Sequence, residues 1–308
     1  MYIIRPFTWY GGKLRMLLEL LCLIPYHTIW CEPFMGSAVV TLNHARSEKE
    51  IINDFDSDLV NFFKVLQDHN NGRQMIEKLL TLEYSKKTFE TAKQYKKDNY
   101  TGFSDVERAV WEYVLIFQSF NSTRKSFSKG KTTFSYHMDI VANLFEVQSR
   151  LKNVDIRQGD GVVLIDSLKD NEKAFLFLDP PYVADTRAKG ARDIYGKEMS
   201  DPEQIRLLET IQHAKSKVLL CGYESRIYDE YLLPYGYKRY KLCDIVKACQ
   251  FVEGKEKDFA EEFIWINYEL PFAAKYAISL KEYDCRQENC LDAKQKRRFN
   301  STHQKFNS

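Results

Sequence analysis

The seven cysteines of this 308-residue chain include no CxxC pair, so the sequence shows neither a zinc site nor a disulfide framework. No apolar run approaches the roughly 18 residues a transmembrane helix needs. The first residues, Met1-Tyr2-Ile3-Ile4-Arg5-Pro6, lack the basic-then-apolar layout of a signal peptide. Charge of neither sign dominates: 45 Lys and Arg stand against 43 Asp and Glu. Also missing are a GxxxxGK[ST] loop, which argues against ATP hydrolysis, the full dinucleotide glycine pattern, which argues against NAD, and an HExxH pair. The six histidines are dispersed and suggest no role. The expectation is a reduced, cytoplasmic protein with no membrane association and no metal. What is present is ample apolar material, 44% hydrophobic and 14% aromatic, enough for one large domain or two ordinary ones and too rich for a disordered chain.

The near-neutral total hides an asymmetry. Residues 64–152 carry 15 basic and 10 acidic side chains, and residues 281–308 carry 7 and 4. An excess of positive charge in a middle segment suggests an anionic partner met through an insertion, although a solvated surface gives the same count. Around that segment, short apolar or β-branched runs at 28–32, 50–54, 154–158, 174–179, 217–222, 237–243 and 262–267 read as strands, many buried on both faces of a parallel sheet. Helices are expected between them, over 14–23, over 37–46 behind a Ser37 cap, and over 201–216 with Pro202 in the first turn. The alternation implies an open α/β sheet with right-handed crossovers. It stops in the insertion, where 72–97 and 104–120 read as helices. Ser104 and Glu107 make a capping box there, and Val106, Val110, Tyr113, Val114 and Phe117 form a stripe. Residues 121–137 hold Arg124, Lys125, Lys129 and Lys131 with no acid, and Gly130 reads as a hairpin or loop tip.

Three segments carry chemistry. Asp179-Pro180-Pro181-Tyr182 follows directly on a strand, at the carboxyl end where open α/β sheets place ligands. Two prolines remove two N–H donors and stiffen the turn, leaving carbonyls to accept. A carboxylate, a fixed carbonyl and an aromatic face suit a flat base bearing an exocyclic amine. Glu32-Pro33-Phe34-Met35-Gly36-Ser37-Ala38 forms a glycine turn after the first strand. Asp54 follows 18 residues after Gly36, close to the spacing at which an acid meets ribose hydroxyls. Together these indicate an adenosine-bearing cofactor without choosing between a dinucleotide and S-adenosylmethionine. Trp9-Tyr10-Gly11-Gly12-Lys13 would bring an ammonium near a carboxylate, or simply turn into a helix.

The ordered set WxGGK, EPFxG, a strand ending in Asp, an insertion and DPPY resembles the Dam-like DNA adenine N6-methyltransferases, from about residue 5 to 270. The resemblance implies a Rossmann-like methyltransferase sheet, mostly parallel with an antiparallel closing strand, plus a mainly helical DNA-recognition insertion with a hairpin. It implies a catalytic domain over 1–63 and 153–284, a recognition domain over 64–152 and a polar basic tail over 285–308. Residue by residue, Asp179, Pro180, Pro181 and Tyr182 match the catalytic motif. Trp9, Tyr10, Gly11, Gly12, Lys13, Glu32, Phe34, Gly36, Asp54, Asp160 and Asp179 match cofactor positions, with Ala38 where family loops often carry a second glycine. Asn121, Arg124, Lys125, Lys129 and Lys131 match a DNA-contacting hairpin. The implied donor is S-adenosylmethionine and the implied partner double-stranded DNA, with GATC as the leading site, a cognate restriction endonuclease as a possible companion, and a monomer expected. A cytosine-N4 methyltransferase, an RNA or protein-amide acceptor, a catalytically silent DNA-binding relative and a nucleotide-binding oxidoreductase are the alternatives.

Overall fold

The computed structural model describes residues 3–181, 199–246, 259–272 and 274. The chain forms two compact units, Met1–Leu17 with Tyr26–Tyr268, and Leu18–Pro25 with Glu269–Ser308. The second holds most of α1 (Leu17–Leu23); the sheet and the helices from α2 onward belong to the first.

Seven strands form one sheet in the order β3-β2-β1-β4-β5-β7-β6. They are β1 (Ile29–Glu32), β2 (Lys49–Asp54), β3 (Asp155–Gln158), β4 (Ala174–Leu178), β5 (Lys217–Tyr223), β6 (Lys238–Val246) and β7 (Phe259–Ile266). The first five are mutually parallel, and β7 runs antiparallel between β5 and β6. This is a mostly parallel α/β sheet with an antiparallel closing edge, consistent with a Rossmann-like methyltransferase. All five residues of β4, Ala-Phe-Leu-Phe-Leu, are buried, as a strand covered on both faces requires. In β2 the alternation sends Ile51 to one core and Ile52 to the other. From β1 the chain builds outward through β2 and β3, then from β4 in the opposite direction. The strand order therefore reverses between β1 and β4, and a crevice opens at their carboxyl ends.

One face of the sheet packs against α8 (Gly161–Asp166), α9 (Asp201–Ile211) and α10 (Arg226–Leu232) around Leu176, Leu178, Leu220 and Trp265. The other packs against α2 (Val39–Asn43) and the helices of the insertion. These are α4 (His69–Leu80), α5 (Lys86–Lys97), α6 (Asp105–Phe117) and α7 (Thr133–Leu151), joined by α3 (Ser57–Gln67), which starts before the insertion, and their core runs without a break into Ile52 and Ile156 of the sheet.

Local expectations differ from the structure in several places, among them the helix expected over 201–216, which ends at Ile211. The helix expected over 37–46 is only α2, with Ala38 rather than Ser37 at its N-cap. Gly36 and Ala38 both adopt left-handed backbone, φ 47° and 52°, so Ser37 is spent inside the turn. The helix expected over 72–97 breaks between α4 and α5. There the buried Gln118 takes over the backbone, donating to Glu83 O and accepting from Ser85 N, while Ser85 caps α5. The helix expected over 14–23 begins as a 3-10 turn, Lys13–Met16. The expected hairpin is a single antiparallel bridge, Ser119 to Phe127, around a turn with left-handed Asn121, Ser122 and Arg124 (φ 51°, 56° and 60°). Gly130 lies beyond it, on the way into α7.

Candidate active site

Three carboxylates stand at the ends of neighbouring parallel strands: Glu32 closes β1, Asp54 closes β2 and Asp179 directly follows β4. Glu32 is buried and accepts from the Thr41 backbone N–H at 3.2 Å and from the Thr41 hydroxyl, whose oxygen in turn accepts from Trp30 Nε1 at 2.6 Å. Burial pushes Glu32 up to about 8 despite those donors, with Asp179 and Asp54 adding repulsion. Asp54 accepts from the Gly36 backbone N–H at 3.1 Å and from Asp56 N–H at 3.0 Å, and burial pushes it up to about 6. Beside it, Asn53 staples the strand-end loops by donating to Pro33 O (2.9 Å) and Gly159 O (3.0 Å).

The Lys13 ammonium is buried among acids. Its Nζ lies 2.6 Å from Asp179 Oδ1 and 3.3 Å from Glu262 Oε1, with Lys13 only 3% and Glu262 1% exposed. Burial alone would push Lys13 down, but Asp179 and Glu262 outweigh it and hold the ammonium well above its ordinary range. Cys221 of β5 adjoins this group, and burial keeps it a thiol. Asp179 is partly open, 20% exposed. The prolines after it are held from behind. Buried Gln204 of α9 donates to Pro181 O at 2.5 Å, and the Tyr228 hydroxyl of α10 donates to Gln204 Oε1 at 2.7 Å. No described residue donates to Pro180 O, so that carbonyl keeps its accepting capacity. Tyr182 lies outside the described residues.

Other expected cofactor residues shape the floor. Gly11 takes a left-handed backbone (φ 69°) that turns the chain, and Gly12 N donates back to Trp9 O at 3.0 Å, which aims Lys13 inward. The Trp9 indole packs on Gly36 so closely that a Cβ there would sit 2.7 Å from Nε1. Gly36 is therefore required twice, by its backbone and by its neighbour. Phe34 packs in the same way against Gly161 at the start of α8. Tyr10 is half-buried. Asp160 caps α8 by accepting from Val162 N at 2.8 Å and pairs with Arg206 at 2.6 Å on an exposed edge.

The expected DNA contacts divide. Lys125 and Lys129 are exposed, as is Asn121. Lys131 pairs with Asp139 at 2.5 Å and lies over the Phe117 ring. Arg124 turns inward, 19% exposed. It meets Asp56 Oδ2 at 2.9 Å and Glu112 Oε1 at 2.5 Å, with its guanidinium 5.2 Å from the Trp9 ring centroid. Fully buried Glu112 also takes Lys96 at 2.7 Å and the Tyr100 hydroxyl at 3.0 Å, and Asp58 takes Lys96 (3.2 Å) and Arg108 (2.8 Å). Asp56, Glu112, Gln204 and Glu262 escaped the sequence reading. Only Glu112 left a visible signal, as an acid on the α6 face it shares with Ala109 and Ile116. Among the described residues no cluster of His, Cys, Asp and Glu could hold a metal ion.

Comparison with known proteins gives the chain's family. The "Type II methyltransferase M1.LlaDCHI" of Lactococcus lactis subsp. cremoris is 26% identical over 244 residues, 74% of this chain and 84% of its own. The "Type II methyltransferase M.MjaIII" of Methanocaldococcus jannaschii is 25% identical over 295 residues, 86% of this chain and 99% of its own. The "DNA N-6-adenine-methyltransferase" of Escherichia phage P1 is 25% identical over 224 residues, 70% of this chain and 29% of its own. The profile of one family matches residues 9–243, so the chain belongs to the D12 class of N6 adenine-specific DNA methyltransferases.

Proposed function

We propose that this enzyme moves a methyl group from S-adenosylmethionine to the N6 amine of an adenine flipped out of duplex DNA, with GATC as its site. The observation that carries the reading is the convergence of Glu32, Asp54 and Asp179 at adjoining strand ends with one buried ammonium among them. Such a donor set fits a ligand that bears a sulfonium, an α-ammonium and a ribose diol. S-Adenosylmethionine, when bound, supplies a methyl group already activated on sulfur. Asp54 would hold the ribose hydroxyls and Glu32 would face the cationic end, over the floor made by Trp9, Gly36 and Phe34.

The adenine amine is a weak nucleophile because its lone pair is delocalised into the ring. Asp179 and the Pro180 carbonyl would accept its two hydrogens, which directs the lone pair at the methyl carbon and stabilises the positive charge that develops on nitrogen. The Tyr182 ring would stack on the base, which must leave the duplex to reach this geometry. Residues 64–152 would form the recognition domain and 1–63 with 153–284 the catalytic domain. Exposed Lys86, Lys87, Lys93, Lys97, Lys125 and Lys129 offer charge to the phosphates. A monomeric, cytoplasmic enzyme is the setting of this reading, and the type II names of two relatives support a cognate restriction endonuclease beside it.

The test is nucleoside mass spectrometry and modification-sensitive sequencing of unmethylated duplex DNA after incubation with protein and S-adenosylmethionine. N6-methyladenine at GATC is expected. N6-methyladenine elsewhere would refute the site, N4-methylcytosine would refute the base, and absence of any product would refute the reading.

A further inference from the structure

The Lys13 ammonium serves two acids, and only one of them faces the crevice. Glu262 lies on β7, opposite Tyr223 of β5 and Cys243 of β6, and is almost wholly buried. Lys13 follows the Trp9–Gly12 turn and reaches both Glu262 and Asp179, so its ammonium contacts two carboxylates. Burying a second carboxylate is expensive, and neutralising Asp179 would not require it. What it changes is the ammonium's hold on Asp179. A cation 2.6 Å from a carboxylate occupies a lone pair and weakens the oxygens as acceptors, while a second anion at 3.3 Å draws part of that charge away.

We propose that Glu262 is a positioning residue that shares Lys13 with Asp179 and holds the ammonium when an amine hydrogen engages the Asp179 carboxylate. The proposal rests on the reading of Asp179 as the acceptor of the substrate amine. In the free enzyme the ammonium leans toward Asp179, at the mouth of the crevice. With the amine in place, the Lys13 side chain has a second seat less than a side-chain rotation away. Asp179 can then turn its oxygens to the base without leaving an uncompensated charge in the protein. Glu262 makes no contact with substrate in this scheme and acts only through Lys13. Cys221 and Glu32 also adjoin the group, the first as a neutral thiol and the second at the neighbouring strand end; both are retained in the variants below.

The experiment is single-turnover methyl transfer by the full-length protein at saturating DNA and S-adenosylmethionine, with separate equilibrium binding of each. Glu262→Gln is expected to lower the rate about tenfold or more while both affinities stay within about twofold. Glu262→Asp, which keeps the charge, is expected to recover most of the rate. In a Lys13→Met background, Glu262→Gln is expected to cost nothing further, because its effect passes through the ammonium. A native rate in Glu262→Gln, or the same loss in Glu262→Asp as in Glu262→Gln, would overturn the proposal. If Glu262→Gln folds poorly, Glu262→Met, which also removes the charge at similar length, takes its place. A rate well below native at unchanged affinities supports the shared ammonium, and a native rate, or a loss matched by weaker binding, refutes it. An Asp179→Ala enzyme with full activity would instead remove the reading on which the proposal rests, and the proposal with it.

Discussion

Two buried ion networks lie on either side of the Trp9 segment, and they are built for different ends. At the β4 end, Lys13 is shared by Asp179 and Glu262, and Asp179 keeps an open edge, 20% exposed. In the insertion, Arg124, Lys96 and Arg108 are matched against Asp56, Glu112 and Asp58, and the arrangement closes on itself around a fully buried Glu112. In the first network one ammonium contacts two acids, and one of those carboxylates is presented to the crevice. The second is balanced and presents nothing. The difference teaches that buried charge alone does not mark a reacting group. A shared cation together with an open edge is the better sign.

The sharpest way to break this comparison is to remove the central cation of the closed network. Arg124→Met leaves Asp56 and Glu112 short of a partner and is expected to lower stability by roughly 3 kcal/mol in urea unfolding, as for the loss of one partner from a buried pair. The salt dependence of DNA binding should not change. A normal unfolding midpoint with a shallower salt slope would make Arg124 a phosphate contact after all.

The strand ends supply a second test, through pH. Glu32 and Asp54 are raised in the folded free protein, from 4.5 to about 8 and from 3.8 to about 6. The folded state therefore holds these protons more tightly than the unfolded chain, so their contribution to stability falls as pH rises through that window. A cationic cofactor favours the ionised forms. Its affinity is expected to rise from pH 5 to pH 8 and then level off, with protons released on binding when calorimetry is run in buffers of different ionisation enthalpy. An affinity independent of pH would separate these acids from the cofactor.

The smallest effects belong to the exposed lysines. Lys125→Ala and Lys129→Ala are each expected to reduce the slope of log affinity against log salt by about 0.9, as for one lost phosphate contact. Lys131→Ala should reduce it less, because that ammonium is already engaged by Asp139 and Phe117. Equal slopes for all three would erase the distinction.

The same contrast explains what could be read from the sequence. The strand-end residues were legible because each belongs to a short run whose chemistry and backbone needs coincide. Gly36 sits where only a left-handed turn under an indole fits, and the two prolines after Asp179 fix carbonyls where a strand stops. The strands were legible for a similar reason, since β4 is five apolar residues buried throughout. Glu262 was hidden because its partner, Lys13, lies 249 positions earlier in the chain. Arg124 looked like a DNA contact because nothing nearby in sequence opposes it. Its acids, Asp56 and Glu112, arrive from α6 and the loop before α3 only when the helices pack. The break between α4 and α5 was hidden for the same reason, since it depends on Gln118 from beyond α6.

Asp179 is the residue on which methyl transfer depends most directly. The measurement is single-turnover methyl transfer to duplex DNA by native protein and by Asp179→Ala at saturating S-adenosylmethionine, with DNA affinity and urea unfolding measured in parallel. The prediction is a rate lower by about 10³-fold, with DNA affinity and unfolding midpoint close to native. A variant that transfers methyl groups at the native rate, or one whose loss follows the loss of folded protein, would contradict it.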